Sequence, residues 1–340
     1  MRLILDTNLW SDIGDEAVAP EFDDLVRQRG LEILVPPSIL VEVCRLSVPE
    51  LRDPIIRALA IGPRRRLATE AESESAELVA EVRRLRPAWM RKTPDTAKVH
   101  SLNAFWTKKV WRTALADSQR IYNYEVGSRR LHEDLMKDQK DQRKQLLETN
   151  FAMRPLTALE VREGTAGFGR EAEGWPSEPV EAWRMSCYEL FWHQLVTIAG
   201  RSVLTKEDAT FADWVGAYVD LRALRHARSD FLRFWAYEVD LASMPRNWIR
   251  WAVNLLQATE KVTGGNPSDE QHSSYLVDAD YFLTADRRYA AILEAVREDA
   301  PFEMAKTIVV AGDRERSVLG RICLALGTVD SGDTGHVVDC

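Results

Sequence analysis

Arg2-Leu3-Ile4-Leu5-Asp6-Thr7-Asn8 opens the chain, and Asp280-Tyr281-Phe282-Leu283-Thr284-Ala285-Asp286 stands near its far end. Each is a short apolar run closed by an acidic residue. Such a run, bounded by polar turn formers, reads as a buried strand. Open α/β sheets place functional side chains just beyond the carboxyl ends of their strands. The two strands are therefore expected to meet in space, although they come from opposite ends of the chain.

Outward from the first strand, the pattern predicts a helix over 21–29, with Gly30 at its carboxyl cap. Glu32-Ile33-Leu34-Val35 is a second strand. Pro36-Pro37 opens a helix from Ser38 to Leu46, because proline suits a first helical turn. Another helix covers about 50–60 and ends near Gly62-Pro63. This β-α-β-α beginning favours a parallel sheet. From 68 to 262 the patterning is helical with almost no strand signal, and ten of the eleven tryptophans fall between Trp89 and Trp251. Within it, 68–86 is a charged amphipathic stretch, and 96–149 reads as one or two long helices, highly charged from His132 to Lys144. Residues 163–179 form a Gly- and Pro-containing loop, and further helices follow at about 180–200, 206–242 and 246–262. The α/β character returns after Gly264-Gly265. There the pattern predicts a helix from Pro267 to Tyr275, a strand from Tyr281 to Leu283, a helix from Asp286 to Arg297, a strand from Thr307 to Val310 and a last helix over 313–326. The tail, 327–340, is read as disordered. The expected architecture is one α/β domain built from 1–67 and 263–326 and split by an all-α insertion at 68–262.

The composition sets bounds on function. At 340 residues, two structural units are the prior, and a 45% apolar fraction supplies a real core. A net charge of −8 argues against an indiscriminate nucleic-acid coat, which would be basic. It is compatible with a nuclease, because a metal-binding acid cluster itself adds negative charge. Cys44, Cys187, Cys323 and Cys340 are scattered without a CxxC, as expected of reduced thiols rather than a disulfide or zinc framework. The apolar run at Leu3–Leu5 stops at Asp6, so no signal peptide is expected; no stretch approaches about 20 apolar residues, so no membrane span is expected, and the reading is cytoplasmic.

Two more acids complete a candidate set. Glu42 lies in Ile39-Leu40-Val41-Glu42-Val43-Cys44, where an unpaired buried carboxylate is costly. Asp269 is the third residue of its helix. Each acid also has an ordinary structural reason. Asp6 and Asp286 suit turns and helix caps, Asp269 complements a helix dipole, and Glu42 can turn to solvent. The case for a site rests on the four occurring together at strand ends and first helical turns.

Asp6-Thr7-Asn8, then Pro37-Ser38-Ile39-Leu40-Val41-Glu42, then Asp269 followed 17 positions later by Asp286 in Phe282-Leu283-Thr284-Ala285-Asp286-Arg287-Arg288-Tyr289, resembles the PIN-domain nucleases. The resemblance covers about 1–62 and 264–326 and says nothing of 68–262. It implies a three-layer α/β/α PIN-like domain with a central parallel sheet. It also implies that Asp6, Glu42, Asp269 and Asp286 are the metal-site acids, supported by Asn8 and Thr284, with Asp280 (and Asp278 close by) as a fifth. His272, one helical turn after Asp269, is a candidate to face the site, with the helix surface the favoured placement. Oxygen ligands suit Mg²⁺ or Mn²⁺, which activate water for in-line attack on a phosphodiester. Similar enzymes cut RNA, mostly single-stranded or looped, so the resemblance implies an endoribonuclease. The biological setting considered is a toxin or antiphage defence effector with an antitoxin or defence-system protein as partner, and dimerisation is a further implication.

An acidic site needs a basic rim to draw in an anion. Arg287 and Arg288 follow Asp286 directly. Arg64-Arg65-Arg66, Arg83-Arg84 with Arg86, Arg91-Lys92 and Lys108-Lys109 are further candidates, the last pair flanked by Trp106 and Trp111. At helical spacing the tryptophans are expected to be core, and many of the basic runs ordinary solvated faces. The competing readings are a PIN-like interaction module whose helical region binds a protein, and a doubly wound small-molecule binder. For the last there is no GxGxxG or P-loop.

Overall fold

The structure, a computed structural model, describes residues 1–127, 144, 155–161, 178–197, 206, 209–259, 266–310, 312 and 315–334. The charged stretch His132–Lys144 (Lys144 apart), the 163–179 loop up to residue 177, Gly264-Gly265 and the final residues 335–340 lie outside the described residues.

Three strands come early: β1 (Arg2–Leu5), β2 (Glu32–Val35) and β3 (Arg64–Arg66). Helices α1 (Thr7–Asp15), α2 (Ala19–Gln28), α3 (Pro37–Cys44) and α4 (Pro49–Ala60) lie between them. The helical region follows, with α5 (Glu70–Leu85), α6 (Thr96–Ala104), a π-helical stretch Phe105–Lys109, α7 (Val110–Ala116) and α8 (Ser118–Gly127). It carries the only strands described in this region, β4 (Glu160–Val161) and β5 (Val180–Glu181), which pair antiparallel. It continues with α9 (Ala182–Trp192), α10 (Phe211–Val215), α11 (Leu221–Arg225), α12 (Arg228–Arg233) and α13 (Pro245–Thr259). The chain closes with α14 (Asn266–Ser273), β6 (Tyr281–Thr284), α15 (Arg287–Asp299), β7 (Lys306–Val309) and α16 (Val318–Thr334).

The main sheet has the order β3-β2-β1-β6-β7, and every pairing in it is parallel. This bears out the expected meeting of the first strand with Tyr281–Leu283: Leu3 pairs with Tyr281 and Leu5 with Leu283. From β1 the chain moves outward to β2 and β3, then returns to the other side of β1 for β6 and β7. The β1–β6 border is thus a topological switch point, where a crevice opens beyond the strands' carboxyl ends. The three residues before Asp6 and the three before Ala285 are buried, so both strands are fixed by burial rather than by propensity alone.

Several expectations need correction. A helix that the sequence pattern did not predict, α1, starts at Thr7 directly after β1, with Asp6 as N-cap. Arg64–Arg66 is an edge strand rather than a substrate rim. The Arg64 side chain is buried against Asp23, with its guanidinium over the rings of Trp10 and Phe22. Gly62, at φ +106°, provides the turn into β3. Arg66 donates to the Ala60 carbonyl and lies over Trp111. Arg84 pairs with Glu81, and Arg86 pairs with Asp230 and Glu238. Arg91 donates to the Gly216 carbonyl. Most basic runs therefore hold the fold.

The helix expected over 206–242 is broken into short pieces. Asp220 caps the Arg222 and Ala223 amides, Asp240 caps Ala242, and Thr210 and Asp213 form a capping box. Each cap fixes the start of a new short helix. The last helix runs on to Thr334, past Gly327 where the sequence suggested a disordered tail. No described helix is long and apolar enough to cross a membrane.

One hydrophobic core runs through sheet and helical region alike, from Leu3 and Trp10 to Trp183, Trp235 and Trp248. The tryptophans are largely core, as expected: Trp10, Trp111, Trp183, Trp235 and Trp248 are fully buried. Polar links add to this. Asn254 and Gln257 of α13 donate to Glu270 and Asp269 of α14, and Arg246 grips Asp278 with two hydrogen bonds. The helix that carries Asp269 is therefore held from the helical region.

Candidate functional site

Asp6 stands at the switch point, 6% exposed. Its backbone N–H donates to the Leu283 carbonyl, which continues the β1–β6 pairing to the last residue of the strand. One carboxyl oxygen accepts the Thr7 amide at 2.7 Å. The other accepts the Asn8 side-chain amide at 2.7 Å and the Thr284 hydroxyl at 2.5 Å. Asn8 also accepts the Ala285 amide through its side-chain oxygen. Asn8 and Thr284, the expected supporting residues, thus tie the two strand ends to one carboxyl.

Glu42 arrives from α3. The Thr7 hydroxyl donates to it at 2.5 Å, and His272 Nε2 lies 3.6 Å away. Asp269, in the first turn of α14, accepts from the Gln257 amide at 3.1 Å. Asp286 caps α15 by accepting the Arg288 and Tyr289 amides at 2.8 and 3.0 Å, and its own amide donates to Thr284. The Tyr289 hydroxyl closes the floor by donating to the Asp269 carbonyl at 2.7 Å.

The charges report how near these groups lie. Burial, then the charges of Asp6, Glu42 and Asp286, push the Asp269 carboxyl up to about 8, with Arg288 opposing. Burial also raises the Tyr289 hydroxyl well above its ordinary value, and all four carboxyls add to that rise. Burial raises Asp6 against its hydrogen bond from Thr284, and raises Glu42 against its hydrogen bond from Thr7. Hydroxyls, amides and main-chain N–H groups bind these carboxyls, and the partly exposed Arg288 and Arg45 lower Asp269 and Glu42. Clustered, buried carboxyls repel one another and tend to hold protons.

Two expectations about neighbouring residues are corrected here. His272 is not on the helix surface: it is 1% exposed and faces inward beside Glu42 and the Ser38 main chain. Burial pulls its imidazole down to about 4, against the pull of Asp6, so it is neutral at ordinary pH. Neither ring nitrogen has a well-formed hydrogen bond. Its i,i+3 spacing from Asp269 was the available signal, and burial decided between the two faces. Asp280 is not a fifth site acid. It precedes β6, at the opposite edge of the sheet, and is bound through three hydrogen bonds by the Arg2 side chain and amide. Asp278 likewise turns to Arg246. Arg287 is exposed beside Asp286 and Arg288 is partly exposed, both at the site rim. Lys108 and Lys109 lie on the π-helical stretch, whose Thr107 carbonyl accepts from Arg66 at the end of β3.

A hard divalent cation fits the chemistry of this donor set: oxygen-rich, mutually repelling, and with an orphaned imidazole beside Glu42. The carboxyls are nonetheless engaged with protein donors, and among the described residues no three His, Cys, Asp or Glu side chains are placed to hold a metal ion together. No protein-family model, no curated protein and no solved structure matches the chain.

Proposed function

We propose that this chain is a divalent-metal-dependent endoribonuclease with a PIN-like three-layer α/β/α domain, interrupted by its helical region. The observation that supports the reading is that the charges of Asp6, Glu42 and Asp286 all bear on the buried Asp269 carboxyl beside the switch point. Asp6, Glu42, Asp269 and Asp286 would hold Mg²⁺ or Mn²⁺, which supplies an activated water and offsets charge on the phosphodiester. Thr7, Asn8 and Thr284 fix the Asp6 and Glu42 carboxyls before any ligand arrives. Arg287 and Arg288 draw the phosphate toward the rim. A toxin or defence effector restrained by an antitoxin or defence-system protein, acting in the cytoplasm and paired as a homodimer, is the setting this activity suits.

A second reading has an observation of its own. Each of the four carboxyls already accepts hydrogen bonds from protein donors. That suits a PIN-like interaction module whose helical region binds a protein and whose site is silent.

Cleavage of mixed RNA and DNA substrates with Mg²⁺ or Mn²⁺ separates the two. The nuclease reading expects RNA cleavage that Asp6→Asn and Asp286→Asn each lower by at least about 10²-fold. Wild-type protein that cuts neither polymer with either metal leaves the interaction module.

A further inference from the structure

A cleft of about 580 Å³ lies between α3 and the helical region. One wall is α3 itself, through Val41 and Arg45. The other is the π-helical stretch Phe105–Lys109 together with α8. A π turn is uncommon and tends to occur at functional sites. Here it brings Phe105, Trp106 and Lys109 onto one wall. The Trp111 indole N–H donates to the Trp106 carbonyl at 2.9 Å and holds the turn in place. Trp111 is fully buried, but Trp106 is only partly so and lies open to the cleft beside Tyr124.

The polar lining is cationic in balance. Arg45, Lys109 and Arg120 contribute three positive charges. Of the two acids, Glu125 is paired with Arg45 at 3.1 Å, and burial raises the carboxyl of Glu70. Lys109 and Arg120 are exposed. Aromatic faces interleaved with cations are how proteins hold a single strand, by stacking bases and neutralising phosphates.

The cleft also leads to the acids. Ser38 and Arg45 line it, and Glu42 follows Ser38 by four positions and precedes Arg45 by three, so the three form one strip along α3. Gln271, next to His272, lines the cleft as well.

We infer that this cleft seats a single strand of nucleic acid, with a base stacked on Trp106 beside Tyr124 and phosphates over Lys109 and Arg120, directed along α3 past Arg45 to Glu42. The direction of the strand toward Glu42 rests on the nuclease reading; the seat itself does not.

The test is fluorescence anisotropy of the full chain with labelled unstructured oligonucleotides of about 12 nucleotides, one RNA and one DNA, in EDTA so that nothing is cut. Trp106→Ala is expected to weaken binding about 10-fold, and Trp106→Phe, which keeps a ring, to restore most of it. Lys109→Glu and Arg120→Glu, both at exposed positions, are expected to weaken binding and flatten its dependence on salt. Binding of RNA alone or of both strands supports the seat and identifies the polymer. The inference is overturned if the wild type binds neither strand, if a duplex binds as tightly as a strand, or if the variants bind as the wild type does. The last result would also leave the cleft to a protein partner. Asp6→Asn separates the two proposals. A wild type that binds through the cleft but never cuts sinks the nuclease reading and leaves the seat. A wild type that cuts, with Asp6→Asn inactive and the cleft variants unimpaired, sinks the seat alone.

Discussion

Two acidic clusters in this molecule differ in what answers their charge. Where the helical region meets α14, Glu74, Glu77, Glu270 and Asp278 surround Arg246 and Arg250. Arg250 lies 2.7 Å from Glu74 and 3.6 Å from Glu270, while Arg246 lies 2.7 Å from Asp278 and 3.5 Å from Glu77. Burial works against the charge of Arg250, and Glu74 and Glu270 more than restore it. At the switch point, Asp6, Glu42, Asp269 and Asp286 are held by hydroxyls and amides, and a neutral buried histidine sits where a cation would serve. The first cluster holds two guanidiniums among its acids, although burial still raises Glu74 and Glu77. At the second, the arginines that bear on the acids, Arg288 and Arg45, are partly exposed, and that difference is the physical ground for assigning it a ligand.

Removing the internal cation should have the largest effect on stability. Arg250→Met strands Glu74, whose side chain is fully buried. We expect a loss of about 3–5 kcal/mol in denaturant unfolding near pH 8. The loss should be smaller near about pH 6, because burial already pushes Glu74 up to about 8 and it can take a proton. An unchanged unfolding midpoint would erase the contrast between the clusters.

The switch-point cluster should respond in the opposite sense. Asp269 ionises near 3.8 in the unfolded chain and near 8 in the folded one, so the folded state holds the proton more tightly. The stability of the metal-free protein should therefore fall as pH rises from about 4 to about 8 and level off above. Thermal melts in EDTA should show Asp269→Asn losing less over that range than the wild type, with Mn²⁺ raising the wild-type midpoint more at the alkaline end. Parallel pH curves for the two proteins would mean that the acids do not burden one another.

The smallest effect belongs to the far edge of the sheet. Asp280 and Arg2 are 39% and 46% exposed and make a surface ion pair. Asp280→Ala should shift stability by less than about 1 kcal/mol and leave any cleavage unchanged. A large loss of activity would return Asp280 to the site.

The contrast between regions also separates what could be read from the sequence. Strands 2–5 and 281–284 were legible because buried parallel strands are short apolar runs, and their closing acids marked the edge. Arg64–Arg66 was not, because three arginines carry no hydrophobic signal; the ring faces of Trp10, Phe22 and Trp111, with Asp23 and the Ala60 carbonyl, take up those side chains. The helical region read as helix, but its caps at Thr210, Asp220 and Asp240 depend on local hydrogen bonds that periodicity does not register. Among the site residues, Asp6, Glu42, Asp269 and Asp286 were found through order along the chain. His272 was misplaced because a polar residue one turn from an acid gives no sign of which way the helix is rolled. That roll is set by α13, through Gln257 and Asn254.

The central strand β1 gains its second neighbour, β6, only after about 275 intervening residues have been synthesised. Chains emerge amino end first, so a nascent polypeptide carries Asp6 and Glu42 on an open sheet edge until the last third leaves the ribosome. Contacts this distant in sequence form late and slowly. The growing chain is thus unable to assemble its four carboxyls prematurely, and any premature stop before Asp286 yields a product that lacks the complete set.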